Sequence, residues 1–289
     1  MPKNKDGDLS RAALSEELRA KLARLEGLLE GYGAVVVAFS GGVDSALLAV
    51  VAQRLLGERA VAALALGPSL PAREQEAAGR LAETIGIRLL TVETKEFENE
   101  KYIANTGDRC FWCREAMATA LRPLARARRA QLVYGAVTDD LGEDRPGMRA
   151  AAEGGMAAPL LESGLGKDEV RLLARHFGIP VWDKPAAACL SSRVTVGTPV
   201  TIERLGRIEK AEDGLLGLGL RVVRVRDHGE MARIEVGARE LEALLEEGMR
   251  QRVVRLVRSA GYRYVTLDLE GYRPAGLITI QGGENSRGD

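Results

Sequence analysis

The chain has few of the residues that build a secreted or metal-rich protein, with 3 cysteines and 2 histidines in 289 residues. Three cysteines make no disulfide scaffold, and a chain of this length does not need one, so a reducing cytoplasm is expected. No apolar run approaches the length of a bilayer span, which argues against a membrane protein. Residues 1–14 have neither an apolar core nor a small-residue cleavage site, so no secretory leader is expected there. Charge of one sign is also missing, because 41 basic residues are matched by 41 acidic ones. A protein that grips nucleic acid through its phosphates normally carries a basic excess, so RNA or DNA is not expected as the main partner. Neither a Walker loop nor a G-x-G-x-x-G fingerprint is present, since Gly166-Lys167 is followed by Asp168 and lacks the upstream glycine. No internal repeat or low-complexity block occurs.

A 46% hydrophobic, 28% charged composition is enough to bury a globular core. Leu14, Leu18, Leu22, Leu25 and Leu29 recur at spacings of three and four, predicting an amphipathic helix ended by Gly31 and Gly33. The continuous apolar run Val35-Val36-Val37-Ala38-Phe39 predicts a strand buried on both faces. Helix (43–56), strand (61–66), helix (72–85), strand (87–92), helix (115–129) and strand (131–134) then alternate. A short helix is expected over 168–177. This pattern predicts a doubly wound α/β fold, a parallel sheet with helices on both faces. Past Lys184-Pro185 the alternation stops, and a smaller α+β domain with an antiparallel part is expected. The domains are expected at 1–195 and 196–289, with a polar tail over 281–289.

Ser40-Gly41-Gly42-Val43-Asp44-Ser45 lies between the first buried strand and its helix. Two glycines let backbone approach an anion without a Cβ clash. Helix-start N–H groups and the helix dipole favour negative charge, and Ser40 and Ser45 add hydroxyls. Phosphate binding is the expected role. Asp44 is either a support for magnesium, which prefers carboxylate oxygen, or a charge at a helix start.

Cys110 and Cys113 form a C-x-x-C whose sulfurs share one helix face. Arg109 and Arg114 flank them and are expected to favour thiolate. Zinc, an iron–sulfur cluster and a redox disulfide all use this spacing. With His176 and His228 poor candidates for a fourth zinc ligand, three thiolates including Cys189 suit a 4Fe-4S cluster with one open iron. The alternative is that Cys189 is a small core residue and the pair a minor metal clip.

The hexapeptide resembles the signature of the PP-loop ATP pyrophosphatases, which implies ATP, Mg2+ and an adenylated intermediate. Four further segments sharpen the likeness: Asp108-Arg109-Cys110-Phe111-Trp112-Cys113; Tyr134-Gly135 through Thr138-Asp139-Asp140 to Gly147; Val181-Trp182-Asp183-Lys184-Pro185 leading to Cys189-Leu190-Ser191-Ser192-Arg193; and residues 265–273. With these, residues 10–275 resemble the LarE-type sulfur transferases of nickel-pincer cofactor biosynthesis. The resemblance implies adenylation of a pyridinium biscarboxylic acid mononucleotide and displacement of AMP by sulfur. It implies that sulfide or a sulfur-donor protein is a partner, and that the chain forms a homo-oligomer. Cys189 falls at the position of a sacrificial cysteine, and Cys110 and Cys113 beside it imply the 4Fe-4S branch. Nucleotide and cofactor binding falls to Ser40, Gly41, Gly42, Asp44, Ser45, Gly135 and Arg193. Arg224 and Arg226, on one face of a strand, match basic residues that hold a substrate phosphate, with Glu235 orienting them. Asp139 and Asp140 serve magnesium or ribose, or form a plain turn. Thr195-Val196 and Pro274-Ala275-Gly276 depart from the family's expected pattern. A tRNA-thiolating enzyme of the same superfamily and a metal-bearing scaffold without catalysis are the competing readings.

Overall fold

The computed structural model describes residues 14–141, 146–184 and 188–273. The expectations for 142–145, 185–187 and 274–289 lie outside those residues. Two compact units divide between Leu205 and Gly206.

The first unit is built on four parallel strands: β1 (Val35–Ala38), β2 (Ala60–Leu66), β3 (Arg88–Glu93) and β4 (Gln131–Val133). Their order is β3-β2-β1-β4. The run of four buried residues in β1 is explained by its two partners and two faces. Val35 and Val37 pack with helices α1 (Glu16–Tyr32), α2 (Val43–Leu56), α3 (Ala72–Ile85) and α8 (Lys167–His176). Val36 and Ala38 point the other way, to Ala118, Leu121 and Ala125 of α5 (Arg109–Ala127). Both faces are thereby covered, which is why these strands read as apolar runs rather than alternations.

Helix α1 runs through Gly31 and stops at Gly33, whose φ of +71° suits a residue without Cβ. Three short helices escaped the periodicity: α4 (Glu100–Ala104), α6 (Pro146–Glu153) and α7 (Pro159–Glu162). Each is too short to establish a 3.6-residue repeat. Helix α5 begins at Arg109, upstream of the expected 115, so Cys110 and Cys113 lie within its first two turns.

The joint between α4 and α5 is locked by Asn105, which is buried with φ +55°. Its Nδ2 donates to the carbonyls of Thr195 and Thr198 at 2.9 Å each, and its Oδ1 accepts from Arg109 at 2.6 Å. Residues 195–200 therefore belong to the first unit. The change of pattern near 195 marks the end of the strand–helix alternation, whereas the contacts change later, inside α9 (Ile202–Gly217).

The second unit contains β5 (Val223–His228), β6 (Met231–Val236) and β7 (Tyr264–Leu267), with α10 (Ala238–Leu245) and α11 (Glu247–Ser259). β5 pairs antiparallel and β7 parallel with β6. Val225, Ile234, Val257 and Tyr262 share its core. Asp227, fully buried, is satisfied by Arg207 at 2.5 Å and the Tyr262 hydroxyl at 3.0 Å. Among the described residues, no helix is long and apolar enough to cross a membrane.

Candidate active site

In an open parallel sheet, ligands bind beyond the carboxyl ends of strands where the order reverses. Here that point lies between β1 and β4, because β2 and β4 flank β1 on opposite sides. The Ser40–Ser45 loop leaves β1 at this place. Gly41 takes φ +72°, and a Cβ there would lie 3.1 Å from the Ala78 Cβ. Ser45 Oγ donates to the Gly42 carbonyl at 3.1 Å and accepts from Ser40 N–H at 3.2 Å, which curls the loop. Gly42 caps α2 with no side-chain hydrogen bond, so the first-turn N–H groups stay open to an anion. Gly135 follows β4. A Cβ on it would sit 2.9 Å from both the Asp44 Cβ and the Ser45 nitrogen, so only glycine lets this strand exit pass the loop.

A cavity of about 400 Å³ opens over the loop and is lined by Ser40, Gly42, Asp44, Cys110, Cys113 and Cys189 among others. Cys189, far in sequence from Cys110 and Cys113, thus shares one chamber with them and with the Ser40–Ser45 loop. The three cysteines are not a preassembled ligand set. Among the described residues, no three His, Cys, Asp or Glu side chains are arranged to hold a metal ion. The donor types gathered in this cavity suit a three-thiolate centre.

The flanking arginines do not decide the state of Cys113. Burial pushes its thiol up to about 12, and the charges of Cys189 and Glu96 push the same way against Arg114. Desolvation outweighs a nearby guanidinium here, correcting the expectation of a thiolate-favouring pair. Because the folded pKa is raised, the stability it confers is full below the unfolded value, a range that includes neutral pH. That stability is lost as pH climbs toward about 12. Cys110, by contrast, is exposed. Iodoacetamide at pH 8 is therefore expected to label Cys110 well ahead of Cys113, as peptide mass spectrometry would show. Equal rates would contradict the burial argument.

Two lysines line the cavity, Lys184 in a segment that carries the resemblance and Lys167 without a signal in the sequence. Lys167 Nζ donates to both Asp44 oxygens, at 2.7 and 2.6 Å. Lys184 Nζ reaches Glu74 at 2.7 Å. The Gly166-Lys167 pair matches no Walker loop. Its position at the start of α8, facing β1's loop, depends on how the chain winds and has no local signature. Ser69 and Tyr102 also line the chamber.

Arg193 is buried, and its Nη1 donates to the carbonyls of Ala188 and Cys189 at 2.7 and 2.9 Å. Its observed role is to brace the Cys189 segment. Asp140 Oδ2 accepts from Val137 N–H and shapes its own turn, whereas Asp139 Oδ2 accepts from Lys167 N–H and ties the turn to the start of α8. In the second unit, Arg224 and Arg226 alternate with buried Val223, Val225 and Asp227, which puts them on one face. Glu235 holds Arg226 by two bonds, at 3.0 and 2.9 Å, and also takes Arg233 at 3.1 Å. Arg224 stacks over Tyr272.

An NAD synthase family model matches residues 18–140, the part that holds the strand–loop–helix. A glutamine-hydrolyzing GMP synthase chain of Methanococcus maripaludis is 30% identical over 155 residues, half of each chain. An uncharacterized protein of Synechocystis sp. is 41% identical over 262 residues, covering 89% of this chain and 98% of its own. The pyridinium-3,5-bisthiocarboxylic acid mononucleotide synthase of Lactiplantibacillus plantarum is 34% identical over 258 residues, 89% of this chain and 93% of that one. Parallel sheet, glycine loop and these matches together define a PP-loop enzyme that uses ATP. More narrowly, the chain belongs to the LarE family of ATP-dependent sulfur transferases, the family of that synthase.

Proposed function

We propose that this enzyme activates a carboxylate of pyridinium-3,5-biscarboxylic acid mononucleotide with ATP and replaces its oxygen by sulfur, toward a nickel-pincer cofactor. One observation carries the reading: a single cavity is lined by both the phosphate loop and all three cysteines. Activation and sulfur delivery can then act on one bound substrate without its release.

The chemistry follows from the residues. Open N–H groups at the start of α2, with the Ser40 and Ser45 hydroxyls, hold the pyrophosphate portion of ATP. Lys167 turns from Asp44 to the polyphosphate, and Asp44 takes up magnesium, which commonly binds through one carboxylate and substrate phosphates. A substrate carboxylate oxygen attacks the α-phosphorus, and the bond to pyrophosphate breaks. Sulfur then attacks the acyl carbon, and the bond to AMP breaks, leaving a thiocarboxylate. Cys189 is the side chain at which sulfur is handled, and Arg193 holds its backbone. Bound by Cys110, Cys113 and Cys189, a 4Fe-4S cluster would supply an open iron for sulfur from sulfide or a donor protein. Arg224 and Arg226, pinned through Glu235, suit a phosphomonoester such as the substrate's own.

The test combines product analysis with metal counting. Purified without oxygen, the protein is incubated with Mg·ATP, sulfide and the biscarboxylate mononucleotide. Pyrophosphate, AMP and a product heavier by one sulfur-for-oxygen exchange are expected. About four irons per chain are expected for a three-thiolate cluster. Pyrophosphate release that ignores the pyridinium substrate would overturn the substrate reading. A colourless, single-zinc protein after reconstitution would overturn the cluster alone.

A further inference from the structure

We propose that Tyr102 is a positioning residue for the sulfur step, holding Cys189 in place through a hydroxyl bond to Ser191. The proposal rests on the reading of Cys189 given above.

Cys189 stands at the start of a short turn, Leu190–Arg193. Two kinds of tie hold the main chain of this segment. Leu190 N–H donates to the Ser69 carbonyl at 2.8 Å, and Arg193 Nη1 holds the carbonyls of Ala188 and Cys189. Such bonds fix the path of the backbone but leave rotation about the segment to be limited by side chains. Tyr102 supplies that limit. Its hydroxyl shares a 2.7 Å hydrogen bond with Ser191 Oγ, and both residues are buried.

Tyr102 is itself well anchored. Its ring meets Phe97 edge to face, with centroids 5.2 Å apart. Tyr102 also lines the cavity that Cys110, Cys113 and Cys189 line. It therefore joins the fixed wall of the chamber to the segment bearing the reactive sulfur. Burial raises its ionisation far above its ordinary value, so the hydroxyl stays neutral and keeps this bond throughout the working pH range. Neither α4 nor residue 102 stands out in the sequence, and the contact spans two distant segments.

Tyr102→Phe removes one oxygen and keeps the ring. The expected result has two parts. First, iodoacetamide labels Cys189 faster, by about threefold or more, while Cys110 is unchanged; a local opening of this kind is read directly by modification rate. Second, kcat for thiocarboxylate formation falls by about tenfold, whereas pyrophosphate formation in a single turnover, with enzyme in excess of ATP, keeps its rate, since only the step after adenylation loses near-attack geometry when the sulfur handled at Cys189 is displaced. Ser191→Ala is the second variant, and it should reproduce both effects. Adding Ser191→Ala to Tyr102→Phe should change little, because the Tyr102–Ser191 bond is already lost.

Wild-type labelling of Cys189 in both variants would overturn the brace. So would an equal fall in the single-turnover rate of pyrophosphate formation, which would mean general damage to the fold. The underlying reading is checked separately with Cys189→Ala. If that variant still makes thiocarboxylate, the role of Cys189 is lost, and the proposal with it, whatever Tyr102 does.

Discussion

Cys189→Ala is expected to abolish thiocarboxylate formation while leaving the first-turnover release of pyrophosphate, which depends on the substrate, within about threefold of the wild-type rate. The separation follows from the layout of the cavity. The nucleotide is held by backbone and hydroxyl groups of the Ser40–Ser45 loop, which leaves β1. Cys189 comes from a segment held by its own ties to Ser69 and Arg193. Loss of its sulfur touches none of the bonds that curl the loop. Among the described residues, the side-chain hydrogen bonds to half-buried Cys189 end on its carbonyl and not on its sulfur. Removing one sulfur from such a place costs about 1 kcal/mol of stability, too little to unfold the domain. Pyrophosphate and thiocarboxylate measured in the same reaction give the answer. Loss of both signals together would mean that Cys189 is needed for activation, against the division of labour proposed here.

The first sheet was legible because burial on both faces writes itself as apolar runs. Val35-Val36-Val37-Ala38 has no polar residue to break it, and the sheet covers it on both sides. The phosphate loop was legible because its two glycines and two hydroxyls are contiguous. Its partners were not. Gly135 came only by resemblance, and its reason is steric: the strand exit passes so close to Asp44 and Ser45 that no Cβ fits. Lys167, Asn105 and Tyr102 carried no local signal, since each acts on a residue distant in sequence. Arg193 enters by resemblance as a binding residue, a role its charge would suit. In the fold that charge is turned inward onto two carbonyls, a role that charge alone does not reveal.

The cysteines show a different limit. Spacing places Cys110 and Cys113 on one helix face, and α5 bears that out. The flanking arginines suggested thiolates, but the sequence carries no measure of desolvation. At Cys113 burial dominates and holds the proton on. A metal would have to displace that proton, so loading of the site should be favoured by rising pH, in line with the general coupling of metal binding to thiol deprotonation.

Lys167→Ala is expected to weaken ATP binding by about 10- to 100-fold, the range for losing one charge-assisted contact to phosphate. The size of the effect on binding contrasts with the effect on stability. Lys167 and Asp44 are each about a quarter exposed, at 28% and 24%. A pair so open to water contributes about 1 kcal/mol or less to the fold, so the variant should remain folded. The loss at the nucleotide is larger for two reasons: a cation is removed from the cavity, and the Asp44 charge it covered is left facing the polyphosphate. Titration calorimetry with ATP, run with and without magnesium, separates these contributions. Without magnesium, Lys167→Ala should bind worst, and Asp44→Asn should restore part of the affinity by removing the exposed anion. With magnesium, Asp44→Asn alone should weaken binding, since the ion loses its carboxylate. Additive effects of the two substitutions in both conditions would show that Lys167 and Asp44 act independently and that no exchange of partners accompanies ATP binding.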